Sequence, residues 1–195
     1  MPPPAIRPAA PCQPPRRRQG RQRPSRGLSL IESLVSLGLM ASAAAVAVPG
    51  LTQWRAQLAV QQAAAEFETD VHLARSLALS RNESLRLSFA GDASARCWVV
   101  HSGPRDACRC TPEGEPVCSA DARAYRQGVL PSALPVRLDV NVGAITFEAT
   151  HGTASPAATV RFSAPGSKSV HQVVGIMGRV RSCVPGGGLP GYRAC

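Results

Sequence analysis

Hydrophobic and polar positions divide the chain into three regimes. Residues 1–27 are rich in Pro and Arg with almost nothing apolar, so they cannot bury a core and read as a basic tail. From Leu28 to Val48 the chain is apolar, with small residues such as Gly38, Ala41, Ala43, Ala44, Ala45 and Ala47 interspersed. Glu32 is the only ionisable side chain in that stretch. About 20 helical residues cross the ~30 Å hydrocarbon core, so the length predicts a single membrane pass. Helical character then continues: Trp54–Phe67 is built from strong helix formers. Beyond it Phe67, Val71, Ala74, Leu77 and Ala78 recur at spacings of three and four, an amphipathic face for packing on the domain that follows. One helix is therefore expected from near Leu28 to about Ser80, with Pro49 kinking it or melting it locally.

After Arg81-Asn82 the pattern changes to short alternating runs: Leu85–Phe89, Cys97–His101, Val136–Val140, Ile145–Glu148, Thr159–Phe162, Val170–Ile176 and Arg179–Cys183. Turn signals such as Gly91-Asp92, Gly103-Pro104, Asn141-Val142-Gly143 and Pro165-Gly166 separate them. Strands this short, joined by short turns, predict antiparallel sheet. The fold class is α+β, a long N-terminal helix packed on a small β-sandwich-like domain. The expected organisation is residues 1–27, a helix over 28–82 and a β domain over 83–195. Gly103–Gln127 is the least regular part and reads as a Cys-stapled insertion.

Charge and cysteine refine this picture. The net charge of +10 is concentrated at the N-terminus, since residues 1–27 hold seven Arg and no acid. The remainder has 15 Lys+Arg against 12 Asp+Glu, a balance of +3 that permits contact with an anionic polymer without predicting it. Positive charge ahead of an apolar segment holds the N-terminus on the cytoplasmic side. Of seven Cys, Cys12 lies in the basic tail; Cys97, Cys108, Cys110, Cys118, Cys183 and Cys195 remain. An even number in an exported Gly/Pro-rich domain reads as disulfides. Cys108 and Cys110 are too close to pair comfortably, so each is expected to bond Cys97 or Cys118, leaving Cys183 with Cys195. The rival is zinc held by Cys97, His101, Cys108, Cys110 and Cys118, disfavoured because C-x-C is not the usual ligand hairpin.

A carboxylate near the start of a membrane-length helix is costly and asks for a partner. Basic residues, Arg26-Gly27-Leu28-Ser29-Leu30-Ile31-Glu32 and the apolar run after them resemble the class III signal of type IV pilins and pseudopilins. The resemblance implies cleavage after Gly27 by prepilin peptidase and N-methylation of Leu28, where most members have Phe. It also implies that Glu32 pairs with the new α-amino group of a neighbouring subunit. A cut there puts Pro49 where pilins commonly carry a helix-breaking Pro. The alternatives are an ordinary cleaved secretory signal and a Glu32 that snorkels to the interface.

Toward the C-terminus, Arg161-Phe162-Ser163-Ala164-Pro165-Gly166 and Val173–Cys183 resemble the C-terminal half of the GspH/FimT family. That family contains pseudopilin H of type II secretion and the minor pilin FimT. Gly-Arg-x-Arg at Gly178–Arg181 is similar to the motif by which FimT-type minor pilins bind DNA during natural transformation. On a strand, Arg179 and Arg181 leave one face roughly 6.6 Å apart, and guanidinium suits phosphate. Lys168 and Arg193 are expected to widen the patch, and Gly178 with Gly186–Gly188 to let a ligand approach the backbone. Two surface Arg residues also serve simply to keep a sheet edge soluble.

The resemblance thus implies a minor type IV pilin contributing to assembly and DNA uptake, anchored in the bacterial inner membrane with a periplasmic C-terminal domain. Its partners would be other pilins, prepilin peptidase and DNA. The alternative is an H-type pseudopilin with no DNA role. No enzyme is expected: the His residues lack metal-ligand spacing, and neither a nucleophile elbow nor a P-loop occurs. Neither cofactor nor metal is expected. N-terminal mass analysis of the mature protein should find Leu28 as the first residue; a mature chain starting beyond Ala47 would mark a secretory signal instead.

Overall fold

The computed structural model describes residues 29–89, 97–111, 115–119, 121–130 and 135–195. The leader expected over 1–27, and with it Gly27 and Leu28, lies outside the described residues. Helix α1 runs Leu30–Arg81 and is followed by twelve strands. These are β1 Leu85–Phe89, β2 Cys97–His101, β3 Cys108–Cys110, β4 Pro116–Cys118, β5 Ala124–Val129, β6 Arg137–Val140, β7 Ala144–Phe147, β8 Ala154–Ser155, β9 Ala158–Ser163, β10 Val170–Val174, β11 Val180–Val184 and β12 Arg193–Ala194. The chain divides into two units at Ser42/Ala43, and α1 contributes to both.

The first unit shows why an apolar helix forms and where it starts. Ser29 Oγ accepts a hydrogen bond from the Glu32 backbone N–H at 3.2 Å, which caps one of the orphan donors of the first turn. Hydroxyls within the apolar stretch turn back onto the helix: Ser36 donates to the Glu32 carbonyl at 2.8 Å and Ser42 to that of Gly38 at 3.0 Å. Each donor is satisfied without water, as an apolar surrounding demands. Leu30, Ile31, Leu34, Val35, Leu37, Leu39 and Met40 are all exposed. By length and composition α1 can cross a membrane.

In the second unit α1 continues unbroken through Pro49, so the expected local melting does not occur. The ring removes a donor that would bond the Ala45 carbonyl, a loss the flanking turns of an Ala-rich helix tolerate. From Ala56 onward one stripe of α1 is buried, comprising Ala56, Ala59, Val60, Ala63, Ala64, Phe67, Val71, Ala74 and Ala78. Most of these are small, which lets the helix axis lie close to the strands. Phe67 is the exception and the centre: its ring sits 6.0 Å from Phe89, 5.6 Å from Trp98 and 5.8 Å from Phe162. Aromatic contacts at such separations add about 0.5–1.5 kcal/mol each beyond area burial.

Those three rings come from two different sheets. One has the order β5-β2-β1-β7-β8 and the other β12-β11-β10-β9-β6, with β3-β4 a separate ribbon. Pairing is antiparallel except between β11 and β12, which run parallel. Most expected strands agree within a residue or two, but the presumed insertion Gly103–Gln127 holds β3, β4 and most of β5. β5 escapes a periodicity search because its Arg126 has a structural duty. Asp70, 1% exposed on α1, accepts from Trp98 Nε1 at 2.7 Å and Arg126 Nε at 3.0 Å. Glu66 lies 3.6 Å from Arg126. Its carboxyl is pushed up by burial and by Asp70, against the pull of Arg126.

Disulfides join Cys108 to Cys118 and Cys183 to Cys195, and Cys97 is disulfide-bonded as well. Thiols so committed are not zinc ligands. His101 is likewise occupied: Nδ1 lies 2.8 Å from the Ser102 carbonyl and Nε2 2.8 Å from Ser88 Oγ. Burial lowers its pKa, opposed by the Ser102 contact and reinforced by Arg86. His171 is also lowered, by burial and then Arg161, against Asp139. A His whose folded pKa lies below its free value binds fewer protons folded than unfolded, so stability falls as pH drops through about 6.5. Denaturant midpoints of the full chain in detergent should therefore decrease between about pH 7.5 and about pH 5.5. His101→Gln should flatten that slope; an unchanged slope would exclude His101 as its source.

Candidate nucleic-acid interface

β10 and β11 form a hairpin whose turn is Gly175-Ile176-Met177-Gly178. The Gly178 N–H donates to the Gly175 carbonyl at 2.8 Å, and the Gly175 N–H to the Arg179 carbonyl at 2.9 Å. Gly178 closes the turn at φ +68°, in the left-handed region that suits a residue without a side chain. Its open face is filled from within: a Cβ there would stand 2.5 Å from the Gly152 carbonyl oxygen and 3.0 Å from Arg75 Cδ. Arg75 Nε in turn donates to that carbonyl at 3.0 Å. Gly178 thus packs against the protein's own backbone. The side where a Cβ would stand is filled by the protein itself, so the small size of Gly178 serves this close internal approach.

Along β11 the faces alternate. Ser182 points inward, donating to Glu68 Oε2 of α1 and to Gln172 Oε1, both at 2.8 Å. The buried Gln172 donates to the Ala64 carbonyl at 3.0 Å. Val184 is buried in the core. Arg181 and Cys183 therefore take the outer face; Arg179 sits in the turn one residue before β11, and both arginines are exposed. Across the sheet, register sets Arg193, Cys183, His171, Arg161 and Asp139 in one row on that face. Arg193 is exposed beside Cys183, and an open groove is lined by Val173, Arg181, Cys183, Arg193 and Cys195.

Several cations among the described residues are engaged. Arg161 pairs with Asp139 at 3.1 Å, Arg126 with Asp70, and Arg81 stacks 4.9 Å over Tyr125. Lys168 donates to the carbonyls of Gly187 at 3.0 Å and Gly188 at 2.9 Å. The ammonium thus holds two of three successive left-handed glycines, Gly186, Gly187 and Gly188, while keeping its charge. Gly188 is closed off as well, since a Cβ there would meet Lys168 Nζ at 2.5 Å. By contrast the side chains of Arg179, Arg181 and Arg193 have neither hydrogen bond nor ion pair among the described residues, as is also true of the exposed Arg55, Arg105, Arg109 and Arg137 elsewhere on the surface. Arg181 and Arg193 border one groove, which Arg179 does not line; Lys168 and Gly178 hold the loops nearby.

Glu32 stands apart, in the first unit, at the third helical position after the Ser29 cap. There it faces the positive end of the helix dipole. The Ser29-x-x-Glu32 spacing is a capping-box signature legible in the sequence, and the signal-motif reading passed over it. His72 and His151 carry no constellation: His151 Nδ1 lies 3.6 Å from the exposed Glu148, and no group of His, Cys, Asp or Glu among the described residues is arranged to hold a metal.

The pattern of the family described as type II transport protein GspH matches residues 63–177, more than half of the chain. The chain belongs to the GspH family. Two solved structures of pilin-like proteins resemble it. The type IV minor pilin FimU of Pseudomonas aeruginosa PAO1 aligns at TM-score 0.50 and 18% identity, over 65% of this chain and 92% of FimU. The minor pseudopilin EpsH from the type 2 secretion system of Vibrio cholerae aligns at TM-score 0.45 and 14% identity, over 66% and 98%. No curated protein matches the sequence. The family match ends at residue 177, so Gly178, Arg179, Arg181, Arg193 and the C-terminal disulfide lie beyond it.

Gly178→Ala should lower stability by about 2 kcal/mol or more, from strain and from collision with Gly152. Gly186→Ala, at φ +71° with nothing within 4 Å, should cost only about 1 kcal/mol. Denaturant midpoints of the two variants would compare them directly.

Proposed function

We propose that this pilin-type minor subunit helps to build a type IV filament and holds DNA, without regard to sequence, on the outer face of β11 and β12. The observation that carries the reading is that Arg181 and Arg193, exposed and without acidic partners, border one groove, with the exposed Arg179 two residues before Arg181. Guanidiniums in such a row offer planar donors to successive phosphates. Among the described residues that face offers no aromatic stacking platform apart from Tyr192, which packs against the core, so phosphate contact rather than base readout sets affinity. Catalysis plays no part in this reading.

Assembly would use the other end of the chain. Cleavage after Gly27 would free the Leu28 amine, and Glu32 would pair with that amine on a neighbouring subunit. In low dielectric each lone charge is expensive, so the pair offsets the cost and sets axial register between subunits. Small residues such as Gly38, Ala41 and Ala45 would permit close helix approach in the filament core. The exposed apolar side chains from Leu30 to Met40 support a helix that lies first in the inner membrane and then among its neighbours.

The second reading, an H-type pseudopilin with a structural role and no DNA contact, is favoured by the family's own description as a type II transport protein. Gel shifts of the full chain in nonionic detergent with random-sequence duplex, across a salt series, separate the two. Expected is weak binding that fades with salt and drops at least tenfold in Arg179→Gln/Arg181→Gln. Binding unchanged in that variant would remove the site, and no binding at low salt would favour secretion.

A further inference from the structure

We infer that the Cys183–Cys195 disulfide is a positioning element for polyanion binding: it holds Arg193 beside Arg181, so that two strands contribute to one phosphate-contacting groove. The inference deepens the DNA-binding reading above and rests on it. It begins from how little else keeps the tail in place.

β12 has two residues, lies at the edge of its sheet, and pairs parallel to β11 with Arg193 opposite Cys183 and Ala194 opposite Val184. The Cys195 N–H donates to the Val184 carbonyl at 3.2 Å. An edge strand this short is marginal by itself. The chain that returns it from β11 contains Gly186, Gly187, Gly188 and Gly191, all at positive φ, so it has wide conformational freedom to lose. Lys168 pins the middle of this return through the Gly187 and Gly188 carbonyls, but nothing polar among the described residues holds the Arg193 side chain. The disulfide, twelve residues apart in sequence, closes the loop at its end.

Geometry then decides what the closure achieves. Cys183 shares its outer face with Arg181, two residues earlier on β11, and Arg193 lies directly across from Cys183. Strand spacing and rise put the Arg181 and Arg193 backbones about 8 Å apart on the diagonal. Both guanidiniums border the same groove, whose floor is Val173 and the disulfide itself. Two cations on the borders of one groove can reach neighbouring phosphates of the same polymer backbone. With the bond absent, Arg193 belongs to a loose tail, and ordering that tail would be charged against every binding event.

The salt dependence of binding reads this directly, since each phosphate contact contributes about 0.9 to the log–log slope on duplex DNA. The full chain in nonionic detergent would be titrated with random-sequence duplex and, in parallel, with inorganic polyphosphate. Arg193→Gln should lower the duplex slope by about one. Cys183→Ser/Cys195→Ser should lower it by a similar amount, and adding Arg193→Gln to that pair should cause no further loss. Reduction with a dithiol is a poorer test because it also attacks the Cys108–Cys118 bond. An undiminished slope in Arg193→Gln overturns the proposal even if the serine pair fails to fold. A slope that stays high in a folded serine pair, or losses that add in the triple variant, overturns it as well. Wild-type binding to polyphosphate but not to DNA would remove the DNA reading while leaving the clamp to stand or fall on the polyphosphate slopes. Binding to neither overturns both.

Discussion

The second half of α1 meets both sheets, and one ring lies at the centre of that contact. Phe67 touches Phe89 and Trp98 on one side and Phe162 on the other, and the alanines around it let backbone approach backbone. That packing decides which face of every strand is inner. Once Val160, Phe162, Val170 and Val184 are inside, alternation leaves Arg161, His171, Arg181 and Cys183 no choice but the outer face. The candidate interface is thus a by-product of helix packing, placed by residues that never touch a ligand.

Electrostatics then sorts the cations. Burying Asp70 requires compensation, and Trp98 with Arg126 supplies it; the exposed Asp139 is answered by Arg161. Lys168 neutralises carbonyl dipoles in a glycine loop. Arg181 on β11 and Arg193 on β12 are among the arginines left over from these internal demands, and they border one groove. A positive patch defined this way is more informative than net charge, because it consists of groups that folding itself has no use for.

Much of this was legible in the chain. The change of period from 3.6 to 2 near Arg81 separates helix from sheet, and the spacing of Arg179 and Arg181 places them on one face. The stripe from Ala56 to Ala64 was harder to read, since alanine marks a core only where something large approaches it. β5 and β12 were hidden for different reasons. β5 replaces alternation with Arg126, whose partner is fifty-six residues earlier in sequence, and β12 is too short to carry a pattern. Gly178 was read as an opening toward a ligand because a sequence does not reveal which neighbour fills the space beside a glycine. The Gly152 carbonyl is that neighbour.

The network beneath β11 has a mechanical consequence. Ser182 and Gln172 grip Glu68 and the Ala64 carbonyl, so the strand that carries arginines outward is stitched on its reverse side to the helical shaft. A pull on the outer face of β11 would run through these stitches into α1 between Ala64 and Glu68, so the strand would not first have to peel from the rim of its sheet.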